Sequence, residues 1–216
     1  MRKWFPAAFI VAAVLFSIAV YSRLPDQVPT HWDISGEPDD FSSRAMGAFM
    51  LPGIMLAVFV VMQWIPSLDP RASNIQKFRG SYDVVVGAMI AFLGVMHVFA
   101  LGNALGWQVN MTKVVLICLG TLFVMLGNYL PRARSNFVFG IRTPWTLSSD
   151  AVWTRVHRIG GYATAAAGLI TIATAFLELR LSLAIALPSL LLSALVPIVY
   201  SYVLWARERR GPSTDP

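Results

Sequence analysis

Residues 45–68, AMGAFMLPGIMLAVFVVMQWIPSL, contain no Asp, Glu, Lys or Arg. A helix needs about 20 apolar residues to cross the hydrocarbon core of a bilayer, so this run is long enough to span it. The rest of the chain is similar, since 56% of its 216 residues are hydrophobic and 13% are charged. A single water-soluble core does not need so much apolar surface. The composition therefore indicates a membrane protein.

Five more uncharged runs reach or exceed the length of a spanning helix. They cover residues 4–22, 84–112, 114–131, 159–177 and 181–206. We therefore predict an all-α fold, a polytopic membrane helical bundle with six transmembrane helices. The run at 84–112 is long enough to include a turn near Gly102–Gly106 before Lys113.

The first run has a second interpretation as a signal peptide. Arg2 and Lys3 precede its apolar stretch, and Ser17-Ile18-Ala19 loosely fits a small-x-small cleavage site. The stretch is long for the apolar region of a signal peptide, and we therefore favour a spanning helix.

The basic residues predict how the helices are oriented. If the amino terminus is cytoplasmic, all but four of the 17 lysines and arginines face the cytoplasm. The positive-inside rule then places both termini in the cytoplasm. A basic surface against anionic lipid also accounts for the formal net charge of +6, so the charge requires no direct nucleic-acid partner.

Two polar segments divide the predicted bundle into modules. We expect an amino-terminal two-helix module with an outer loop, a cytoplasmic linker, a four-helix module with an inner loop and a disordered tail. These cover residues 1–66, 67–83, 84–206 and 207–216, respectively.

The sequence offers little for redox or hydrolytic chemistry. Cys118 is the only cysteine, so neither a disulfide nor a thiolate metal site can form within one chain. The sequence has no P-loop, Gly-rich dinucleotide turn, HExxH or GxSxG motif. His31 and His157 lie on opposite faces in the predicted topology and cannot share a metal. We predict no cofactor and no metal, and an enzyme is the less favoured class.

The outer segment, LPDQVPTHWDISGEPDD at residues 24–40, is expected to be a structured loop. Its prolines restrict the backbone, and Gly36 supplies the turn that returns the chain to the second helix. The candidate binding residues are His31, Trp32, Gly36 and Asp39. One interpretation is a cation site that includes neighbouring carboxylates. In the interpretation that we favour, His31 and Asp39 hydrogen-bond the turn and Trp32 lies in the interfacial aromatic belt.

The inner segment, GNYLPRARSNFVFGIRTPWTLSSDAVWTRVHRIGGY at residues 127–162, is rich in turn-forming residues. Gly140 permits a bend, and Pro144 keeps Thr143 extended. One of the two serines before Asp150 can cap an amphipathic helix that runs into the fifth span. The candidate binding residues are Asn136, Gly140, Arg142, Thr143, Pro144, Trp145, Trp153 and His157.

Arg142 has two interpretations. In the first, it obeys the positive-inside rule while Trp145 and Trp153 anchor the segment at the lipid headgroups. In the second, its guanidinium is tucked into the bundle and pairs with Asp150, a backbone carbonyl or a lipid phosphate. His157 then lies on the same surface as a titrating group. The sequence leaves both interpretations open.

Both polar segments resemble the bacterial family of SdpI-like immunity proteins against the sporulation-delaying toxin. The inner segment has that family's GNxLP…N…GIRTPWTL…W…H signature, which extends here from Gly127 to His157. The outer segment has the LP…PTHW…G…D pattern of the DUF1648-like amino-terminal module. The inner signature is the more specific of the two.

The resemblance implies a multi-pass protein of the bacterial cytoplasmic membrane, with the lipid bilayer as its surroundings. It further implies binding of a peptide toxin outside and of a transcriptional repressor at the cytoplasmic face. A small-solute or ion transporter and a membrane-embedded enzyme are the alternatives. His97 is an ionisable residue within the third predicted span, and we expect it to form structural hydrogen bonds.

Overall fold

The computed structural model describes residues 5–210, and most of them are helical. The α-helices in this part of the chain are α1 Phe5–Val20, α2 Arg44–Trp64, α3 Ala72–Lys77, α4 Arg79–Ala104, α5 Met111–Tyr129, α6 Pro144–Ser148, α7 Asp150–Thr174 and α8 Leu179–Arg210. Short 3-10 turns at Tyr21–Arg23, Ile65–Leu68 and Leu130–Arg132 continue α1, α2 and α5.

Five helices are long and apolar enough to cross a membrane. With their continuing turns, they are Phe5–Arg23, Arg44–Leu68, Arg79–Ala104, Met111–Arg132 and Leu179–Arg210. Five of the six predicted spans are therefore confirmed by length and composition. Most of the run at 159–177 lies in α7, which is long enough but carries charged residues and His157 in its first half, with glycine and threonine in its second. Its composition alone does not establish a sixth span.

The turn predicted within the run at 84–112 is confirmed. The helix α4 ends at Ala104 and α5 begins at Met111. Gly106 lies between them with a φ of +92°, a conformation that glycine adopts without steric cost.

The prediction of an all-α fold is wrong at the outer segment, which forms an antiparallel hairpin. Its strands are β1 Gln27–Trp32 and β2 Pro38–Ser43, and an irregularity follows Pro29 in their register. β1 packs on α2 through Val28, and its burial does not alternate strictly, since Pro29 is also buried while Gln27 and His31 are exposed. Gly36, with a φ of +89°, closes the turn.

The spanning helices pack in two groups that meet along α4 and α5. The helices α1, α2 and α4 contact one another, and α7 lies between α5 and α8. At the inner end, Trp153 of α7 joins a buried core with Ile75, Tyr82 and Ile90. This aromatic side chain therefore connects the second group to the first.

Glycines bring the backbones of α5 and α7 into direct contact. A Cβ atom placed on Gly120 would lie 2.6 Å from the carbonyl oxygen of Gly168. One placed on Gly127 would lie 2.5 Å from the carbonyl oxygen of Gly161. Small residues permit such close helix packing in membranes, where apolar burial between helices contributes little.

The two predicted connecting regions are more ordered than the sequence indicates. The predicted linker at 67–83 contains α3 and the beginning of α4. The predicted disordered tail began at residue 207, but α8 continues to Arg210. The remainder of that prediction, residues 211–216, lies outside the described residues.

Candidate functional surfaces at the two ends of the bundle

Asn136 organises a tight loop in the inner segment. Its side chain is fully buried, and its amide nitrogen donates to the carbonyls of Arg134 and Phe139, at 2.6 and 3.0 Å. Its Oδ1 atom accepts hydrogen bonds from the backbone N–H groups of Val138 and Phe139, at 2.8 and 2.7 Å. Since these backbone groups occupy its polar atoms, Asn136 fixes the loop and is not free to contact a ligand.

His157 contacts this loop from the buried side. Its ring stacks on Trp153 with the ring centroids 3.9 Å apart. Nε2 accepts the backbone N–H of Ile141 at 2.9 Å, so the proton of the neutral ring is on Nδ1, which donates to the Trp153 carbonyl at 2.8 Å. Gly140 passes directly over the ring with a φ of +126°, and a Cβ atom there would lie 2.3 Å from Nε2.

The environment of His157 determines its protonation state. Burial lowers the pKa of this imidazole to about 4, although the Trp153 carbonyl acts in the opposite direction. The residue precedes the uncharged run at 159–177 and is fully buried. One of the two interpretations of the sequence placed a titrating group on the inner surface, but the structure has a buried imidazole that is neutral near pH 7.

Arg142 lies on the surface of the inner segment and is not tucked into the bundle. Its Nη1 atom donates to the backbone carbonyl of Phe137. Of the three partners considered from the sequence, the structure therefore shows the backbone carbonyl. Asp150, the alternative ion-pair partner, is also exposed.

The predicted extended conformation of Thr143 is confirmed, with φ and ψ of −102° and 160°. Thr143 and Thr146 form a reciprocal capping box, and Pro144 occupies the first turn of α6. The Thr143 hydroxyl also lies 3.0 Å from the hydroxyl of Ser201 on α8. Thr143 therefore connects the inner segment to the last helix.

Aromatic and serine side chains complete the attachment of the inner segment. The Trp145 ring packs edge-on against Tyr202 of α8, with ring centroids 5.1 Å apart. Trp153 is buried and donates from its indole nitrogen to the Ala133 carbonyl at 2.8 Å. Ser149 is the serine that caps α7, accepting the N–H of Val152. Trp153 is therefore a core residue, whereas Trp145 remains partly accessible.

A segment that the sequence did not indicate as functional holds the inner segment in place. We call residues 69–74 the strap. The buried carboxylate of Asp69 accepts the backbone N–H of Phe137 at 2.7 Å. The side-chain amide of Asn74 donates to the Ser135 carbonyl at 2.9 Å. The strap therefore satisfies backbone groups that the irregular loop leaves unpaired.

Arg71 adds the charged contacts of the strap. Its guanidinium donates to the Leu147 carbonyl at 3.0 Å and to the hydroxyl of Ser135. It also lies over the Phe137 ring, 5.2 Å from the centroid. The Asp69-Pro70 pair after an apolar run was a turn signal in the sequence. Nothing local indicated which distant loop it would hold.

At the other end of the bundle, the outer hairpin is anchored to three helices. Val28 packs directly on Gly47 of α2. The Trp32 indole donates to the Asn103 side chain of α4 at 3.3 Å. The Thr112 hydroxyl of α5 donates to the carbonyl of Ile34 in the turn at 3.0 Å. These contacts therefore hold the hairpin in a fixed position on the helices.

His31 and Asp39 form a cross-strand pair on this hairpin. The Nδ1 atom of His31 lies 2.5 Å from the Asp39 carboxylate, and the two side chains are 67% and 45% exposed. The hydrogen bond and the charge of Asp39 raise the pKa of His31. Asp33 separately holds the turn by accepting the N–H groups of Ser35 and Glu37. Within residues 5–210, the structure brings together no three side chains suited to bind a metal.

His97 joins three helices beneath the hairpin. Its Nε2 atom lies 2.8 Å from the Ser17 hydroxyl, which donates to the Ala48 carbonyl at 2.6 Å. Because the serine proton is used in that bond, His97 donates through Nε2. Its Nδ1 atom is buried and has no hydrogen-bond partner among the described residues. The contacts to α1 and α2 are consistent with the structural role that we predict.

The fold defines a multi-pass helical membrane protein, with a hairpin at one end of the bundle and a loop held by the strap at the other. Comparison with known proteins is consistent with this class. Residues 132–201 match the SdpI/YfhL protein family, and residues 8–56 match a domain of unknown function, DUF1648. The resemblance inferred from the two polar segments is therefore confirmed, as is a multi-pass bacterial membrane protein.

Two curated relatives come from Bacillus subtilis (strain 168). The immunity protein SdpI is 25% identical over 203 residues, which cover 94% of this chain and 95% of that protein. The uncharacterized membrane protein YbgB is 38% identical over 60 residues, which cover 28% of this chain and 62% of that protein. No solved structure matches the chain.

Proposed function

We propose that this chain is a membrane immunity protein that protects its cell from a secreted peptide toxin. The observation that carries the proposal is the similarity to the immunity protein SdpI over 94% of the chain. We further propose that the outer hairpin binds the toxin. Its attachment to three helices supports this role, because a surface fixed in advance loses less conformational entropy on binding.

The surface chemistry of the hairpin suits a basic peptide with apolar side chains. Ile34 and Phe41 are 70% and 48% exposed, and they supply apolar contact area. Asp33, Asp39 and Asp40 are exposed on the same hairpin and supply negative charge. Opposite charge on a peptide would steer its approach to this surface.

Growth of a toxin-sensitive host tests this proposal. The chain would be expressed in B. subtilis cells that lack SdpI and are exposed to the sporulation-delaying toxin. We expect protection by the wild-type protein and loss of protection by Asp39→Asn, which removes the charge paired with His31. Glu178→Gln is the matched control because it removes one exposed carboxylate outside the hairpin, whose hydrogen bond is with the nearby Leu181 N–H. Failure of the wild-type protein to protect, at normal membrane abundance, would contradict immunity against this toxin.

We also propose six spans, with both termini in the cytoplasm and α7 as the additional span from residue 159 onward. The position of α7 between α5 and α8 supports this topology, as does its glycine contact with α5. The excess of basic residues on the proposed inner side supports the orientation. The topology leaves the outer hairpin facing the toxin.

Cysteine labelling tests the topology in a Cys118→Ala background. A membrane-impermeant maleimide added to intact cells should label Ile34→Cys on the hairpin but not Ser148→Cys in the inner segment. Both side chains are exposed in the structure, so they form a matched pair. Labelling of Ser148→Cys from outside would contradict the proposed orientation.

For the cytoplasmic face, we propose that the inner segment docks a transcriptional repressor. Arg142 and Trp145 support this role because they are accessible on a loop that the strap and α8 hold rigid. We expect Arg142→Ala to fold normally and to reduce membrane recruitment of a fluorescent fusion of the family's repressor. Arg209→Ala is the control, since this exposed arginine lies near the end of α8. Equal recruitment by both variants and wild type would argue against docking at Arg142.

One observation favours transport as a second candidate function. His97 is fully buried in α4, its Nδ1 atom has no hydrogen-bond partner within residues 5–210, and ionisable groups within membranes often serve transport. A pH-sensitive dye in proteoliposomes would detect proton flux. We expect no flux above protein-free vesicles; flux abolished by His97→Gln would favour transport over immunity.

A further inference from the structure

An apolar groove lies along the spanning parts of α4 and α5. Its volume is about 690 Å³, and Phe5 of α1 is one of its lining residues. Small and large apolar side chains line it, including Gly87, Ala88, Ala91, Phe92, Leu122 and Met125. The groove exists because the two helix groups meet at small side chains on α4.

The length of the groove matches a lipid acyl chain. It extends along α4 from Asp83 to Val95, which at 1.5 Å per residue is about 18 Å. This length is comparable to one leaflet of the hydrocarbon core, which is roughly 15 Å thick. An acyl chain of one leaflet can therefore lie along the whole groove.

Charge at the inner end of the groove indicates which lipid would bind. Asp83, which lines the groove, is paired with Arg79 at 2.8 Å. Lys77 and Arg132 are exposed and lie next to the inner ends of α4 and α5 in the sequence; Lys77 donates to the Asn74 side chain at 3.0 Å, and Arg132 lies over the Tyr129 ring. Two basic side chains at the level of the headgroups complement an anionic phosphate.

We propose that the groove binds an anionic phospholipid of the inner leaflet, with an acyl chain between α4 and α5 and the headgroup phosphate near Lys77 and Arg132. The bilayer is as apolar as the groove, so burial of the chain alone provides little selectivity. Selectivity comes from the headgroup charge. Two basic side chains near a membrane surface should favour an anionic over a zwitterionic lipid by roughly tenfold or more.

Cys118 provides a site-specific probe because it lines the groove and is the only cysteine. A bimane label at Cys118 would be studied in vesicles of phosphatidylcholine and phosphatidylglycerol, with bromine atoms on the chains of one lipid. We expect brominated phosphatidylglycerol to quench the label far more than its mole fraction predicts. The control is Leu195→Cys in a Cys118→Ala background, because Leu195 is 45% exposed on α8. Quenching there should follow the mole fraction.

Two further measurements test the proposal if the bimane label itself displaces the lipid from the groove. A photoactivatable phosphatidylglycerol should crosslink unlabelled protein within α4 or α5, and Ala91→Phe should reduce that crosslinking without changing thermal stability. Lys77→Gln with Arg132→Gln should reduce the preference for phosphatidylglycerol, whereas Arg209→Gln should not. Quenching at Cys118 that follows the mole fraction, together with crosslinks unaffected by Ala91→Phe, would overturn the proposal. These assays use no toxin, so their result is independent of the immunity function.

Discussion

Replacing Gly140 with alanine should disturb the inner segment at its tightest contact. This residue has a φ of +126°, which disfavours any side chain with a Cβ atom. The new Cβ atom would lie 2.3 Å from Nε2 of His157 and 3.1 Å from the Trp153 ring. The histidine cannot move freely, because it is stacked on Trp153 and bonded to its carbonyl.

The expected cost has two parts. The backbone conformation costs roughly 1–3 kcal/mol when a residue other than glycine adopts it. Displacement of the imidazole also breaks its hydrogen bond with the Ile141 N–H. Leaving a buried polar group unpaired costs roughly 1–3 kcal/mol more. We therefore expect Gly140→Ala to reduce the free energy of unfolding by roughly 2–6 kcal/mol.

Gly106→Ala is the matched control because it separates the two parts. Gly106 also has a positive φ, but a Cβ atom there would contact nothing within 4 Å in the described part of the chain. Thermal unfolding of detergent-solubilised protein would be monitored by intrinsic fluorescence. The additional 1–3 kcal/mol at Gly140 should lower Tm by roughly 2–12 °C more than the control. Equal Tm changes for the two variants would refute the idea that His157 fixes the inner segment.

Other predictions concern protonation and helix packing. Because burial lowers the pKa of His157 to about 4 from 6.5, the unfolded chain takes up this proton first on acidification. Its stabilising effect is complete above about pH 6.5 and is lost as the pH falls towards 4, so His157→Gln should flatten the dependence of Tm on pH in that window. Asp39→Asn should lower the raised pKa of His31 towards its usual value, as NMR titration of the imidazole would show. Gly127→Leu should strongly reduce Tm because a Cβ atom there lies 2.4 Å from the backbone of α7, whereas Gly53→Ala, which meets open space, should leave Tm almost unchanged or slightly higher.

Features that depend on neighbouring residues could be predicted from the sequence. Pro144 restricts Thr143 directly, and a serine before Asp150 caps a helix wherever that helix packs. The uncharged runs likewise identified five spans, because the hydrocarbon thickness sets their length. The turn at Gly106 followed from the surplus length of one run.

Features that depend on distant partners could not be predicted in this way. Asp69 and Phe137 are far apart in the sequence, and an isolated aspartate carries no signal of the backbone group that it will accept. The strands at 27–32 and 38–43 are short and contain prolines, so their pairing depends on the helices beneath Val28. The partner of the Arg142 side chain could not be predicted either, because several groups were within reach of this long, flexible side chain.

The strap has a consequence for recombining this protein with its relatives. The two family matches end at residue 56 and begin again at residue 132, so Asp69 and Arg71 belong to neither. A chimera that joins the first matched part of one protein to the second part of another inherits its connecting region from only one parent. The contacts of Arg71 with the Ser135 hydroxyl and the Phe137 ring depend on side chains of both regions, so they favour a connecting region from the parent that supplies the inner segment. A crossover before residue 65 should therefore give a better-folded chimera than one after residue 78.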